Sequence, residues 1–341
     1  MSEAIFPLLG PLLVFAFVLP LSALCAKVLL RLFARIDAGR HSLASVRYAL
    51  LVGSSAVPLA WFVSASLHQT ESGESAAVCS AVHAPEAFCA EAAYFSLGLC
   101  ALALAFALPR LLREQFMQRA SESDRARDLE RRLARLLAEN AGLCALRGRV
   151  IASDSSWAPI ATVGILSPRV VVKTAFAAAL DDEALASALF HELEHVEHRD
   201  PLRYFVAWWA LAVNPLGRFQ LRGEHARWQL ERETACDREA VAGGASAAAL
   251  AQALLTAARA GGSSAFQAAL GSPELEAVKL RLELLLAHAD RRPRRCPRDP
   301  AARLLFASLL CAVALPHGAG TQPLDAIHIA SERAASFLMG G

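Results

Sequence analysis

His191-Glu192-Leu193-Glu194-His195 sets two imidazoles four residues apart with an acid beside the first. On a helix, residues i and i+4 project from one face one turn apart, so the two rings can grip a single metal ion. Glu192 is the next residue round the helix, placed to take a proton from water at that ion. Zinc suits such a donor set, lowers the pKa of bound water to about 7 and polarises a scissile carbonyl. The chemistry on offer is peptide hydrolysis, with Glu192 as general base. The bland alternative is a charged, solvated helix face, and Glu194, Glu197 and His198 do make the segment polar.

A third ligand decides between these readings. His198 lies seven residues from His191, about 10.5 Å along a helix axis at 1.5 Å per residue, too far to share an ion with it. A metzincin would need glycine at 198 and histidine at 201, where this chain has His198 and Pro201. Glu233, in Glu233-Thr-Ala-Cys236-Asp237, can complete a two-histidine, one-carboxylate site that leaves a coordination place for water. Asp237, one turn further on, can accept the free N–H of a ligating histidine and fix its tautomer. Glu231 is the alternative ligand; it points roughly 200° away from Glu233 at 100° per residue, so the two cannot bind together. Cys236 reads as packing. His225 and Tyr204 are the candidates for stabilising the transition state.

The elements that must hold these residues follow from the surrounding pattern. Asp181-Asp182-Glu183 sets acids in a helix's first turn, where the macrodipole favours them. Leu185, Leu189, Leu193 and Val196 continue as an apolar stripe, and Asp200-Pro201 is expected to end the helix. A second helix is expected over 224–242, stopped by Gly243-Gly244, and further helix over 245–288. Residues 201–213, with Trp208 and Trp209, are too few to cross a bilayer and are expected at or against its interface. Short β-branched runs at 149–152 and 169–173, punctuated by Pro159, Gly164 and Pro168, predict a small sheet whose edge could pair with an extended peptide.

Composition sets the medium. Of 341 residues, 55% are hydrophobic and 19% charged, with mean hydropathy +0.37, against about 45–50% and 25% in soluble domains. Part of the chain is therefore solvated by lipid. Residues 1–112 read as a membrane domain with helices at about 6–32, 46–67 and 88–112, and 301–316 as a fourth span. Residues 113–144 read as a charged cytosolic helical linker, 145–290 as the peptidase domain and 317–341 as a short external tail. Lys27, Arg31, Arg35, Arg40 and Arg47 between the first two spans, and the arginines after 109 and at 291–295, place those segments in the cytoplasm. Loop 68–87 has no Lys or Arg and falls outside with the N-terminus. The chain is expected in a bacterial inner membrane, and this charge pattern puts its 145–290 domain on the cytoplasmic side. Acids nearly match bases over 113–138, so no direct nucleic-acid binding is expected.

Eight cysteines form no CxxC pair, which argues against a cysteine-built zinc ribbon. Cys79 and Cys89 lie in or beside the external loop, an oxidising compartment where they can form a disulfide or stay free.

The run Val163-Gly-Ile-Leu-Ser-Pro-Arg-Val-Val-Val, then His191-Glu-Leu-Glu-His-Val-Glu-His-Arg-Asp-Pro201, Asn214-Pro215 and Glu233-x-x-Cys-Asp237 resembles the BlaR/MecR-type membrane metallopeptidases. These are similar to the HtpX and CAAX-type membrane gluzincins. The resemblance implies one zinc on His191, His195 and Glu233, with Glu192 as base. It further implies a cytosolic protein substrate, in the best-known members a transcriptional repressor, and self-cleavage as a family habit. The fold expected is a mainly α membrane protein: transmembrane helices plus a cytoplasmic α+β zincin-like (gluzincin) metallopeptidase domain with a small sheet. The competing functions are a quality-control peptidase for membrane proteins and a non-catalytic receptor or scaffold with a structural metal. Antibiotic-sensing members carry an external penicillin-binding domain after the last span; here 25 residues follow Pro316, without a Ser-x-x-Lys nucleophile. β-Lactam sensing by this chain is therefore not expected.

Overall fold

Three valines in a row, Val170–Val172, are the sequence signature of a strand buried on both faces, and they form the centre of the sheet. The computed structural model describes residues 14–36, 43–72, 123–156, 158–260 and 273–287, with isolated helical positions at 98, 101, 105, 109, 307, 308 and 311. The expected third and fourth spans lie outside these apart from the isolated positions. Cys79, Cys89 and the tail at 317–341 lie outside them altogether. The described chain is mostly helical with one three-stranded sheet. It divides into two units, one of 1–107, 206–228 and 299–341, the other of 108–205 and 229–298.

In the first unit, a π-helical turn at Val14–Val18 leads into α1 (Leu19–Ile36), and α2 runs over Ala44–Ser72. The stretches Val14–Arg35 and Ala44–Ser64 are long and apolar enough to cross a bilayer. Phe17, Leu21, Val28 and Leu32 of the first stretch are left exposed. The same unit holds the second half of α6 (Asp200–Val213), α7 (Gly217–Gln220) and the first turns of α8 (Arg222–Gly243). Polar side chains tie these pieces together where little water competes. Asn214 donates to the Leu19 carbonyl at 2.7 Å, Ser55 to the Ala210 carbonyl at 2.7 Å, and Arg47 to Glu224 at 2.9 Å. Trp208 and Trp209 belong to α6.

The second unit opens with α3 (Asp124–Glu139), capped by Ser123, whose hydroxyl accepts from the Ala126 N–H at 3.1 Å. Leu129, Leu133, Leu136 and Leu137 lie on one helical face and are buried in the unit's core. After a 3₁₀ turn (Ala141–Leu146) come β1 (Val150–Ser153), β2 (Ile160–Val163) and β3 (Arg169–Lys173). Their order is β1-β3-β2, β1 parallel and β2 antiparallel to β3. The β2 strand is one the sequence patterns did not single out, because Ile-Ala-Thr-Val is short and only its last residue is buried. A one-turn α4 (Thr174–Ala178) leads to α5 (Asp182–Glu197).

Helix α5 is the axis of the unit. Asp181 caps it, accepting from the Ala184 N–H at 2.7 Å, and every residue from Ala184 to Val196 is buried. Its polar motif is therefore surrounded by protein, and each buried polar group needs a partner. Helix α9 (Ala247–Ala260) packs on it, and α10 (Pro273–Ala287) packs on α9. The end of α5 differs from the sequence expectation. The helix stops at Glu197, Arg199 turns the chain through φ +53°, and Asp200-Pro201 begins α6 instead of closing α5. Proline fits a helix's first turn, where its missing N–H has no partner to lose. Helix α8 ends as expected at Gly243-Gly244, with Gly244 at φ +123°.

Candidate metal centre

Helices α5 and α8 bring the candidate ligands together within the second unit. His191 and His195 point their Nε2 atoms at one another, 3.1 Å apart. Glu233 of α8 meets both: Oε2 is 3.4 Å from His191 Nε2 and Oε1 is 3.6 Å from His195 Nε2. A zinc-sized ion about 2.0–2.1 Å from each ligand sets tetrahedral donors about 3.3 Å apart. The three separations bracket that value. Glu231, the alternative ligand, is not part of this trio.

The far side of each ring explains why the near side faces inward. His195 Nδ1 makes a 2.8 Å hydrogen bond with Asp200. His191 Nδ1 lies 2.9 Å from Asp237, as close but off the hydrogen-bond line. At His195 this bond holds the proton on Nδ1 and leaves the Nε2 lone pair free, and at His191 the nearby Asp237 charge favours the same tautomer. Two such lone pairs and a carboxylate then converge with no proton between them, an arrangement that a cation relieves. Accordingly both rings are held above the ordinary histidine value. Burial works against the charged form, but Asp237 and Glu233 outweigh it at His191, and Cys236, Glu233 and Asp200 do so at His195. The donor set therefore fits a divalent metal ion.

Arginines hold the orienting carboxylates. Arg232 donates to Asp200 at 2.9 Å. Arg281 of α10 donates twice to Asp237, at 2.8 Å each, and its remaining nitrogen is 3.0 Å from Glu233 Oε2. Tyr204 donates its hydroxyl to Glu233 Oε1 at 3.2 Å. Glu192 is buried, and Thr162 of β2 donates to its Oε2 at 2.7 Å. Cys236 is fully buried with its sulfur 3.6 Å from His195 Nδ1; burial pushes its thiol up to about 11, so it packs as a neutral group. His225 belongs to the other unit, where its ring lies 5.7 Å from Trp228.

His198, discounted as a ligand on distance, turns to Glu239 at 2.7 Å, with Glu194 3.8 Å away. Burial and Glu239 push Glu194 up to about 7.

Four residues of the centre escaped sequence reasoning. Asp200 passed as a helix terminator, although an acid five residues beyond the second histidine can reach back to it. Arg232 stands beside Glu233 in sequence and was open to notice. Thr162 and Arg281 reach the centre only through tertiary packing, and no spacing rule points to them.

The BlaR1 peptidase M56 family model matches residues 17–285 of the chain. No curated protein and no solved structure matches it.

Proposed function

Because the chain belongs to the BlaR1 peptidase M56 family, a family of metallopeptidases, we propose that it is a membrane-embedded zinc endopeptidase that cuts a cytosolic protein. The observation that carries this reading is the convergence of three donor groups: His191 Nε2 and His195 Nε2 lie 3.1 Å apart, and the Glu233 carboxylate faces both, Oε2 at 3.4 Å from His191 Nε2 and Oε1 at 3.6 Å from His195 Nε2. Zinc held there supplies the Lewis acidity that makes water nucleophilic at neutral pH. Glu192 takes the proton from the attacking water and returns it to the leaving amine. Thr162 fixes the Glu192 carboxylate by donating to Oε2, which keeps the other oxygen free to accept. Asp237 and Asp200 hold the two imidazoles in the ligating tautomer. Tyr204 steadies the Glu233 oxygen to which it donates.

The exposed apolar face of α1 and the two candidate spans support placement in a lipid bilayer. Arginine and lysine distribution supports a cytoplasmic peptidase unit and an inner-membrane location. The regulatory role, cleavage of a repressor-like protein, rests on the family resemblance.

Full-length protein in detergent is expected to hold one zinc. Glu192→Gln is expected to keep that zinc and lose cleavage by at least about 100-fold, the lower end of what a general base contributes. Comparing proteomes of wild-type and Glu192→Gln cells identifies the substrate. Undiminished cleavage by the variant removes the mechanism.

A further inference from the structure

Arg281 stands 44 residues beyond Asp237 in sequence, on the last helix described at length, yet its guanidinium reaches the metal centre. One edge makes a two-pronged contact with Asp237, Nε to Oδ2 and Nη2 to Oδ1, both 2.8 Å. The other terminal nitrogen is 3.0 Å from Glu233 Oε2. Glu233 and Asp237 sit one turn apart on α8, so their carboxylates lie side by side. A planar fork with five N–H donors can span both, whereas the single ammonium of lysine cannot hold both in that geometry. The arginine is itself held: its side chain is 13% exposed, and Leu285, one turn further along α10, is buried in the unit's core.

Building on the zinc reading above, we propose that Arg281 is the positioning residue of the metal centre. It orients the carboxylate of Glu233 directly and the imidazole of His191 through Asp237, so that the seating of α10 sets metal affinity. Two effects oppose one another when the arginine is removed. A positive charge close to a dication is lost, which favours the ion. Two neighbouring carboxylates, Asp237 buried and Glu233 partly exposed, lose the group that bridges them, and they repel one another and turn away. Removing the guanidinium also unmasks the Asp237 charge, but a Glu233 carboxylate that has turned away cannot ligate, so the loss of orientation dominates.

Zn²⁺ affinity of the full-length protein in detergent, measured by chelator competition, tests this. Arg281→Gln is expected to weaken Zn²⁺ binding about 10–100-fold, as loss of a partner that orients a ligand does. The visible absorption of the Co²⁺-loaded protein is expected to change shape, because the ligand geometry changes. Arg281→Lys should fall between the two, and it carries the test if Arg281→Gln does not fold. Combining Arg281→Gln with Asp237→Asn should cost less than the sum of the two, because one acts partly through the other. His191→Ala separates the two hypotheses. If that variant binds Zn²⁺ like the wild type, the zinc reading itself fails. If it loses Zn²⁺ while Arg281→Gln and Arg281→Lys bind as tightly as the wild type or more tightly, the zinc site stands and the role of Arg281 is overturned.

Discussion

Glu194 stands one residue before a candidate ligand yet belongs to a separate cluster with His198 and Glu239. Its folded-state value of about 7 lies above the ordinary 4.5. Folding therefore binds its proton more tightly than the unfolded chain does, and stability falls as pH rises between those two values. Glu239 works in the opposite direction: burial alone would raise it, but the hydrogen bond with His198 holds it low. Glu194→Gln removes the first titration and keeps a donor facing Glu239. The variant should match wild type at pH 5 and melt about 2–4 °C higher at pH 8, the shift expected for about 1 kcal/mol in a domain of this size. Thermal melts of both proteins across that range give the answer; a difference that does not grow with pH counts against it. At this scale the sequence was informative wherever a single helix set the spacing. His191, Glu192 and His195 are neighbours by helical period alone. Glu233 was legible because an acid on a later helix was needed to close the site. Asp200 was not, because its role depends on the Arg199 turn that swings α6 back toward His195. Arg281 and Thr162 were not, because their neighbours are set by how α10 and β2 pack.

At the scale of elements, the α5 axis was legible and its surroundings less so. The stripe Leu129, Leu133, Leu136 and Leu137 identified an amphipathic α3, but the pattern says only that one face is apolar, not which partner it meets. In the structure that partner is the core shared with α5 and the sheet. The punctuation at Gly243-Gly244 was legible too, and the two glycines do different work. Gly243 ends the helix with ordinary dihedrals, and a Cβ there would meet Phe190 at 3.6 Å, a normal contact. Gly244 takes φ +123° so that the Ala245 N–H can reach back to the Ala240 carbonyl at 2.9 Å. Any L side chain is strained at that dihedral. Gly243→Ala should therefore stabilise by about 0.5–1 kcal/mol, while Gly244→Ala should destabilise by about 1–2 kcal/mol. Denaturation of the two variants side by side checks this, and effects of the same sign would contradict the assigned turn.

For the whole molecule, orientation in the proposed bilayer is the property on which the proposed function turns, since it decides which proteins the candidate centre can reach. The argument runs through charge and not through shape. Moving lysine and arginine across a membrane is opposed during insertion, so short loops rich in them stay inside. Loop 68–87 carries none, whereas the segments before and after the neighbouring spans carry several. The unit that holds the candidate metal centre follows the arginine-rich stretch after residue 109 and should share its compartment. Cys144 offers a probe, because it lies in that unit as a free and exposed thiol. In a variant whose only accessible cysteine is Cys144, a membrane-impermeant maleimide applied to intact spheroplasts should leave the protein unlabelled. Lysing the spheroplasts should then bring labelling to completion. A cysteine introduced at Ser75, in the loop expected outside, should react before lysis. Labelling of Cys144 before lysis, with or without labelling at position 75, would put the candidate metal centre outside the cell and exclude every cytosolic substrate.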